Sequence, residues 1–139
     1  MKSATEYLWM NTRQPREYIN ITHEVEDAVR TSGLTNGTIF LFISGSTAAL
    51  TTIEYESGVV NDLKKAIERM VPDTIPYEHD RRWGDGNGYS HVRAALVGAS
   101  LTVPFREGAM LLGTWQQIVV LDFDNRPRKR EVQIQISGL

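Results

Sequence analysis

The sequence predicts an α+β domain with a largely antiparallel or mixed sheet. Three observations lead there. Strand-like segments outnumber helical ones, several follow one another near the C-terminus, and the strand–helix alternation of a repeated βαβ fold is missing. The chain has 139 residues, 41% hydrophobic and 23% charged. Those proportions are ordinary for a globular protein, and the length suits one domain with one core. No linker-like stretch divides it, so residues 1–139 are expected to form a single domain. A TIM barrel would need about 200 residues or more.

Residues 3–12 read as a strand and residues 17–21 as another, with Pro15 between them. Thr22 is placed to cap a helix reaching Ser32, with Glu24, Glu26 and Asp27 in its first turn and Gly33 as its stop. Asn36-Gly37 marks a turn before a strand at residues 38–44. Residues 49–55, rich in Thr and Ile, form the next strand. The clearest helix follows: Val60, Leu63, Ile67, Met70 and Val71 share one face, Ser57 caps it and Pro72 ends it. Residues 73–88 show no periodicity and read as a loop, broken by Pro76, Gly84, Gly86 and Gly88. A short helix over residues 89–97 is expected next. The last third reads as a β-meander with strands at residues 100–105, 109–113, 116–123 and 130–136.

Composition excludes several function classes. The formal net charge is −2, which gives no general pull toward nucleic acid or anionic membranes. Without cysteine there is no disulfide, thiolate nucleophile or zinc–cysteine site. Residues 1–14 lack the apolar stretch of a signal peptide, and no apolar run approaches the roughly 18 residues of a membrane helix. The expectation is a cytoplasmic protein with no nucleic-acid and no membrane partner.

The segment from Tyr77 to Arg93 carries the densest chemistry. It holds His79, Asp85, Asn87, His91 and Arg93 among three glycines. Histidine moves protons near neutral pH or binds metal. Asp85 can orient an imidazole or bind a cation, and Arg93 can pair with phosphate or carboxylate. Glycine lets the backbone approach a ligand. The same residues also make an ordinary solvated turn, and two histidines twelve apart are no metal motif by themselves. Three further places are weaker. Ser44-Gly45-Ser46-Thr47 offers backbone N–H groups to an anion but lacks a Walker ending. Glu54 and Glu56 share a strand face and suit a cation, a base role or simple solvation. Trp115 and Gln116 suit stacking and hydrogen bonding to a ring, or a strand with a core Trp. The basic run Arg126, Arg128, Lys129, Arg130 reads as a solvated hairpin tip.

Taken together, these fragments resemble the YjbQ-like family. The matching pieces are Ser46-Thr47-Ala48-Ala49-Leu50, Glu54, Asp85-Gly86-Asn87 followed by His91, Ala94-Ala95-Leu96, Ser100-Leu101-Thr102-Val103-Pro104 and Leu112-Gly113-Thr114-Trp115-Gln116-Gln117. The resemblance implies a single domain with a β-sandwich-like sheet and two or three helices, assembled as a homotrimer. It also implies a weak thiamine-phosphate synthase-type transferase activity. That reaction joins a pyrimidine diphosphate to a thiazole phosphate and releases pyrophosphate. Relatives often carry a histidine where this chain has Gly45, and their other two histidines match His79 and His91. If the three jointly bind a metal in relatives, one ligand is lost here, and Glu54 or Asp85 would have to replace it.

The resulting expectation is an enzyme acting on a small phosphorylated heterocycle. His79 and His91 would supply acid–base chemistry, with Asp85 orienting. Ser46, Thr47, Glu54, Asn87, Arg93, Trp115 and Gln116 would bind the substrate. A divalent ion, Mg or Zn, would sit on His79 and His91. The other reading is a non-catalytic binding protein for a phosphorylated metabolite.

Overall fold

A computed structural model describes all 139 residues. In chain order the elements are β1 (Lys2–Asn11), β2 (Tyr18–Asn20), α1 (Thr22–Ser32), β3 (Gly37–Ile43), β4 (Ala48–Glu54), α2 (Ser57–Met70), α3 (Glu78–Trp83), α4 (Gly88–Val97), β5 (Ser100–Arg106), β6 (Ala109–Met110), β7 (Gln116–Asp122) and β8 (Lys129–Gly138). They form two antiparallel sheets, a five-stranded one in the order β1-β8-β3-β5-β6 and a three-stranded one in the order β2-β7-β4. The α+β expectation holds.

Alternation explains the larger sheet. In β8, Val132, Ile134 and Ile136 are buried, and in β3 so are Ile39, Leu41 and Ile43. Residues at every second position face one way, so one face turns inward and the other outward. The inward side chains meet Ala48, Leu50, Ile118 and Val120 of the small sheet and Val25, Ala28 and Val29 of α1 in one core. The small sheet's other face packs Ala49, Val119 and Leu121 against Ile67 of α2 and Ala94 of α4. That sheet is therefore covered on both faces. No helix is long and apolar enough to cross a membrane.

Several expectations change. The meander shrinks to the β5–β6 hairpin, because β7 leaves for the small sheet and β8 inserts between β1 and β3. The reason lies in Ile118-Val119-Val120-Leu121, four consecutive buried residues that a half-exposed meander strand cannot satisfy. The stretch expected to be loop contains α3, whose first turn holds Glu78 and Asp80 and whose last turn holds Arg81 and Arg82, charges that suit the helix dipole. Thr22 is not the cap of α1. Its N–H donates to Asn20 Oδ1 (3.0 Å), and its hydroxyl accepts from the Ile118 N–H (2.7 Å). Glu56 rather than Ser57 caps α2, accepting from the Val59 N–H at 2.9 Å.

Candidate functional site

Two short helices bring the histidines together. Asp80 Oδ1 accepts from the Gly88 N–H at 2.8 Å, which pins the start of α4 onto α3. The contact is close enough to demand glycine: a Cβ on Gly88 would lie 2.6 Å from the Tyr77 Cβ. His91, one turn into α4, then meets His79 with ring centroids 4.4 Å apart at an interplanar angle of 41°. His79 Nδ1 lies 3.4 Å from Asp85 Oδ1 and 3.8 Å from Asp80 Oδ1. It is buried and makes a hydrogen bond to neither. Ligand atoms of His79, Asp80 and Asp85 lie within 4.8 Å of one another. One orphaned imidazole nitrogen with two carboxylates is a donor set that fits a divalent cation.

His91 also borders a cavity of about 370 Å³, walled by Gly45, Ser46 and Ala48 and by Ala94, Ala95 and Gly98 at the end of α4. The two halves of the sequence thus meet where the turn before β4 faces α4. Beneath them runs a buried polar network. Asp124, with 0% exposure, accepts at Oδ2 from the Thr47 hydroxyl (2.9 Å), Asn87 Nδ2 (3.2 Å) and Arg128 Nε (2.9 Å). Burial alone would raise its carboxyl, but the hydrogen bonds from Thr47, Arg128 and Asn87 outweigh it and hold the group below the usual carboxylate range. Asp122 takes Arg130 at two points, Nε to Oδ2 at 2.7 Å and Nη2 to Oδ1 at 3.1 Å. Asn87 Oδ1 accepts from the Ser90 hydroxyl and the Asn125 N–H, so both ends of its amide are held.

The structure sorts the expected residues into four groups. His79, Asp85, His91 and Ser46 gather at the helix-pair site. Thr47 and Asn87 lie beside it but hold the scaffold, their side chains committed to Asp124. Arg93 points elsewhere: only 4% exposed, it donates from Nε to the Val71 carbonyl (3.0 Å) and lies 4.7 Å over the Tyr89 ring. It ties α4 to the end of α2 and is not placed to meet a phosphate in this cavity. Glu54, Trp115 and Gln116 sit at the opposite end of the strand pair. Ala48 pairs with Asp122 while Glu54 pairs with Gln116, six residues on, or about 20 Å away. There Trp115 is 71% exposed rather than core, and Gln116 bonds the Gly113 N–H and the Thr52 hydroxyl. Glu54, Trp115 and Gln117 line a separate cavity of about 510 Å³. Glu54 therefore cannot replace a ligand at Gly45 within one chain, whereas Asp85 stands beside His79.

Sequence reasoning missed Asp80, Asp122, Asp124 and Arg130. The basic run is not simply a solvated tip: Arg128 binds Asp124, and Arg130 is buried. Parity would have shown the second. Arg130 precedes Val132, Ile134 and Ile136 by twos, so it shares their inward face.

Comparison with known proteins gives one consistent result. The model of the family described as "UPF0047 protein YjbQ-like" matches residues 6–139. A UPF0047 protein of Methanothermobacter thermautotrophicus is 37% identical over 138 residues, spanning 99% of this chain and 94% of that protein. UPF0047 protein YugU of Bacillus subtilis is 35% identical over 132 residues, 94% of this chain and 97% of its own. A crystal structure from Sulfolobus solfataricus, described as a YbjQ-like protein of unknown function, superposes with a TM-score of 0.93 at 30% identity, covering 99% of both chains. One from Clostridium acetobutylicum, of the yjbq/upf0047 family, gives 0.86 at 30% identity, covering 95% of this chain and 99% of that one.

Proposed function

Since the chain belongs to the YjbQ-like UPF0047 family, we propose that its chemistry resides in the His79–Asp85–His91 cluster and is directed at a small phosphorylated heterocyclic metabolite. The observation that carries this reading is the meeting of two imidazoles from separate helices beside a cavity of about 370 Å³. That volume lies at the small end of ligand pockets. The reaction in view is of the thiamine-phosphate synthase type. A C–O bond to pyrophosphate breaks, a C–N bond to the thiazole nitrogen forms, and pyrophosphate leaves with its electron pair. His91, bordering the cavity, supplies the general acid or base; Asp85, 3.4 Å from His79 Nδ1, would position the second imidazole through a cation the two share. A divalent cation held by His79, Asp80 and Asp85 would neutralise charge on the leaving group.

A thermal-shift screen of phosphorylated heterocycles, followed by a turnover assay on each hit, tests the reading. Turnover that is lost in His91→Ala is the expected result. Binding without product would make the protein a metabolite-binding protein instead. Unchanged rescue of a thiamine-requiring strain by folded His91→Ala would remove His91 from the chemistry.

The protein is also proposed to act as a homotrimer in the cytoplasm. Tyr7, Trp9, Phe40 and Phe42 stand exposed on the outer face of the large sheet, in rows with Glu131, Gln133 and Gln135. Exposed aromatic clusters of this kind mark association surfaces. A cyclic assembly is also the simplest way for the Glu54–Trp115–Gln116 end of one copy to approach the histidines of another.

A further inference from the structure

We infer that the Gly45-Ser46-Thr47 turn and the Arg130 guanidinium form an oxoanion subsite beside the His91 cavity, which takes a phosphoryl group of the ligand. The inference rests on the reading that this cavity receives a phosphorylated molecule, and it moves the anion contact from Arg93 to Arg130.

Three observations converge on the turn. First, the amide N–H groups of Gly45, Ser46 and Thr47 donate to no carbonyl and no side chain, although the neighbouring Ser44 N–H is taken by the Glu131 carbonyl and the Thr47 carbonyl by the Phe123 N–H. Gly45 and Ser46 are exposed, so their N–H groups stand open to a ligand, while Thr47 is buried, where an N–H is normally paired. Gly45 has φ +123°, a conformation natural to glycine, and successive N–H groups around such a residue form an anion-binding concavity.

Second, Arg130 is 6% exposed, and its three hydrogen bonds use only Nε and Nη2. Nη1 is left over. It lies 3.0 Å from where a Cβ on Gly45 would stand, so the free end of a buried guanidinium lies directly against the turn. Asp122 and Thr47 fix the plane of the group, which spares it the entropy of being ordered by a ligand.

Third, Gly45 and Ser46 are walls of the cavity that His91 borders. An oxoanion on the turn would thus hold the rest of its molecule next to the imidazoles. The Ser46 side chain is exposed and makes no hydrogen bond in the chain, which leaves its hydroxyl for the same ligand. Because Asp122 and Asp124 offset Arg130 and Arg128, recognition here comes from directed donors and not from an excess of positive charge.

The test is a titration of inorganic phosphate into the full ¹⁵N-labelled chain. Saturable shifts of the Gly45, Ser46 and Thr47 amides and of the Arg130 side chain are expected. Arg130→Lys should weaken phosphate about tenfold, through loss of a directed ion-pair bond, and Ser46→Ala about threefold, through loss of one exposed hydroxyl donor. Should Arg130→Lys fail to fold, the exposed Ser46→Ala and the wild-type shifts decide alone. Shifts confined to the His79 and His91 imidazoles would overturn the subsite and leave the histidine reading standing. No saturable shift at the turn, with hits from the heterocycle screen still turned over, would also overturn the subsite alone. No shift and no hits would end both.

Discussion

Replacing Asp124 with alanine should be among the costliest single polar changes in this fold. Its carboxylate is fully buried and anchors Thr47 before β4, Asn87 before α4 and Arg128 before β8. Removing it strands the buried Asn87 amide and leaves the Thr47 hydroxyl only its bond from Arg130. Each buried polar group left unsatisfied costs about 1–3 kcal/mol, and breaking a buried ion pair from one side costs about 3–5 kcal/mol. Arg128 is one-third exposed and can rehydrate, so the lower half of that sum applies. The expectation is about 4 kcal/mol. With a urea m-value of roughly 1.5–2 kcal/mol/M for a domain of this size, the midpoint should fall by about 2 M with m unchanged. The pH dependence adds a second readout. The folded carboxyl titrates below its ordinary range, so as pH falls the unfolded chain takes up the proton first. The stabilisation is therefore fully present above about pH 4 and is lost as pH drops through the folded value. The gap between wild type and Asp124→Ala should narrow in acid. A loss under about 1 kcal/mol at pH 7, or a gap that widens in acid, would refute the argument.

The other predictions probe different layers. Leu41→Ala, in the register between Ile134 and Leu101, should cost about 2–5 kcal/mol in denaturant unfolding through the cavity it leaves. Gly88→Ala forces a Cβ to 2.6 Å from Tyr77; it should cost about 1–3 kcal/mol and separate α3 from α4, read as loss of the His79–His91 ring contact in the imidazole NMR shifts. Arg93→Met should lower the unfolding midpoint by breaking the bond to Val71, yet leave phosphate shifts at Gly45 and Ser46 intact; loss of those shifts would return the anion contact to Arg93. If the proposed homotrimer forms through the aromatic sheet face, Trp9→Glu should reduce the mass seen by light scattering from three chains toward one, and a mass unchanged from wild type would clear that face of the role.

Much of the site was legible as a place and little of it as geometry. The cluster of His79, Asp85 and His91 in one glycine-rich segment marked residues that the fold gathers beside a cavity. What made it a site was the bond from Gly88 to Asp80, a contact between two residues that no periodicity links. Arg93 looked the better anion ligand because it stands two residues from His91. On a helix, two residues is about 200° of rotation, which carries the side chain to the opposite face. Arg130 looked like surface because its neighbours are charged, though its parity with Val132 placed it inward. Trp115 and Glu54 read as partners of the histidines, but β4 and β7 are paired over seven residues, and that length holds the two ends apart.

The sequence alone settled the local choices: the strands from their period of two, the long helix from its apolar face, the fold class from the excess of strands, and the family from fragments in the right order. Those are decided by short-range preference and patterning, which a linear reading can follow. Tertiary structure decided which strands share a sheet, because β7's four consecutive buried residues need cover on both faces. It also decided which of many polar residues are committed to the scaffold. A buried polar group must find a partner wherever the fold provides one. Asp124 takes up Thr47, Asn87 and Arg128, whereas His79 Nδ1 and Arg93 Nη2 are left buried without partners and the N–H groups of the Gly45 turn are left unpaired.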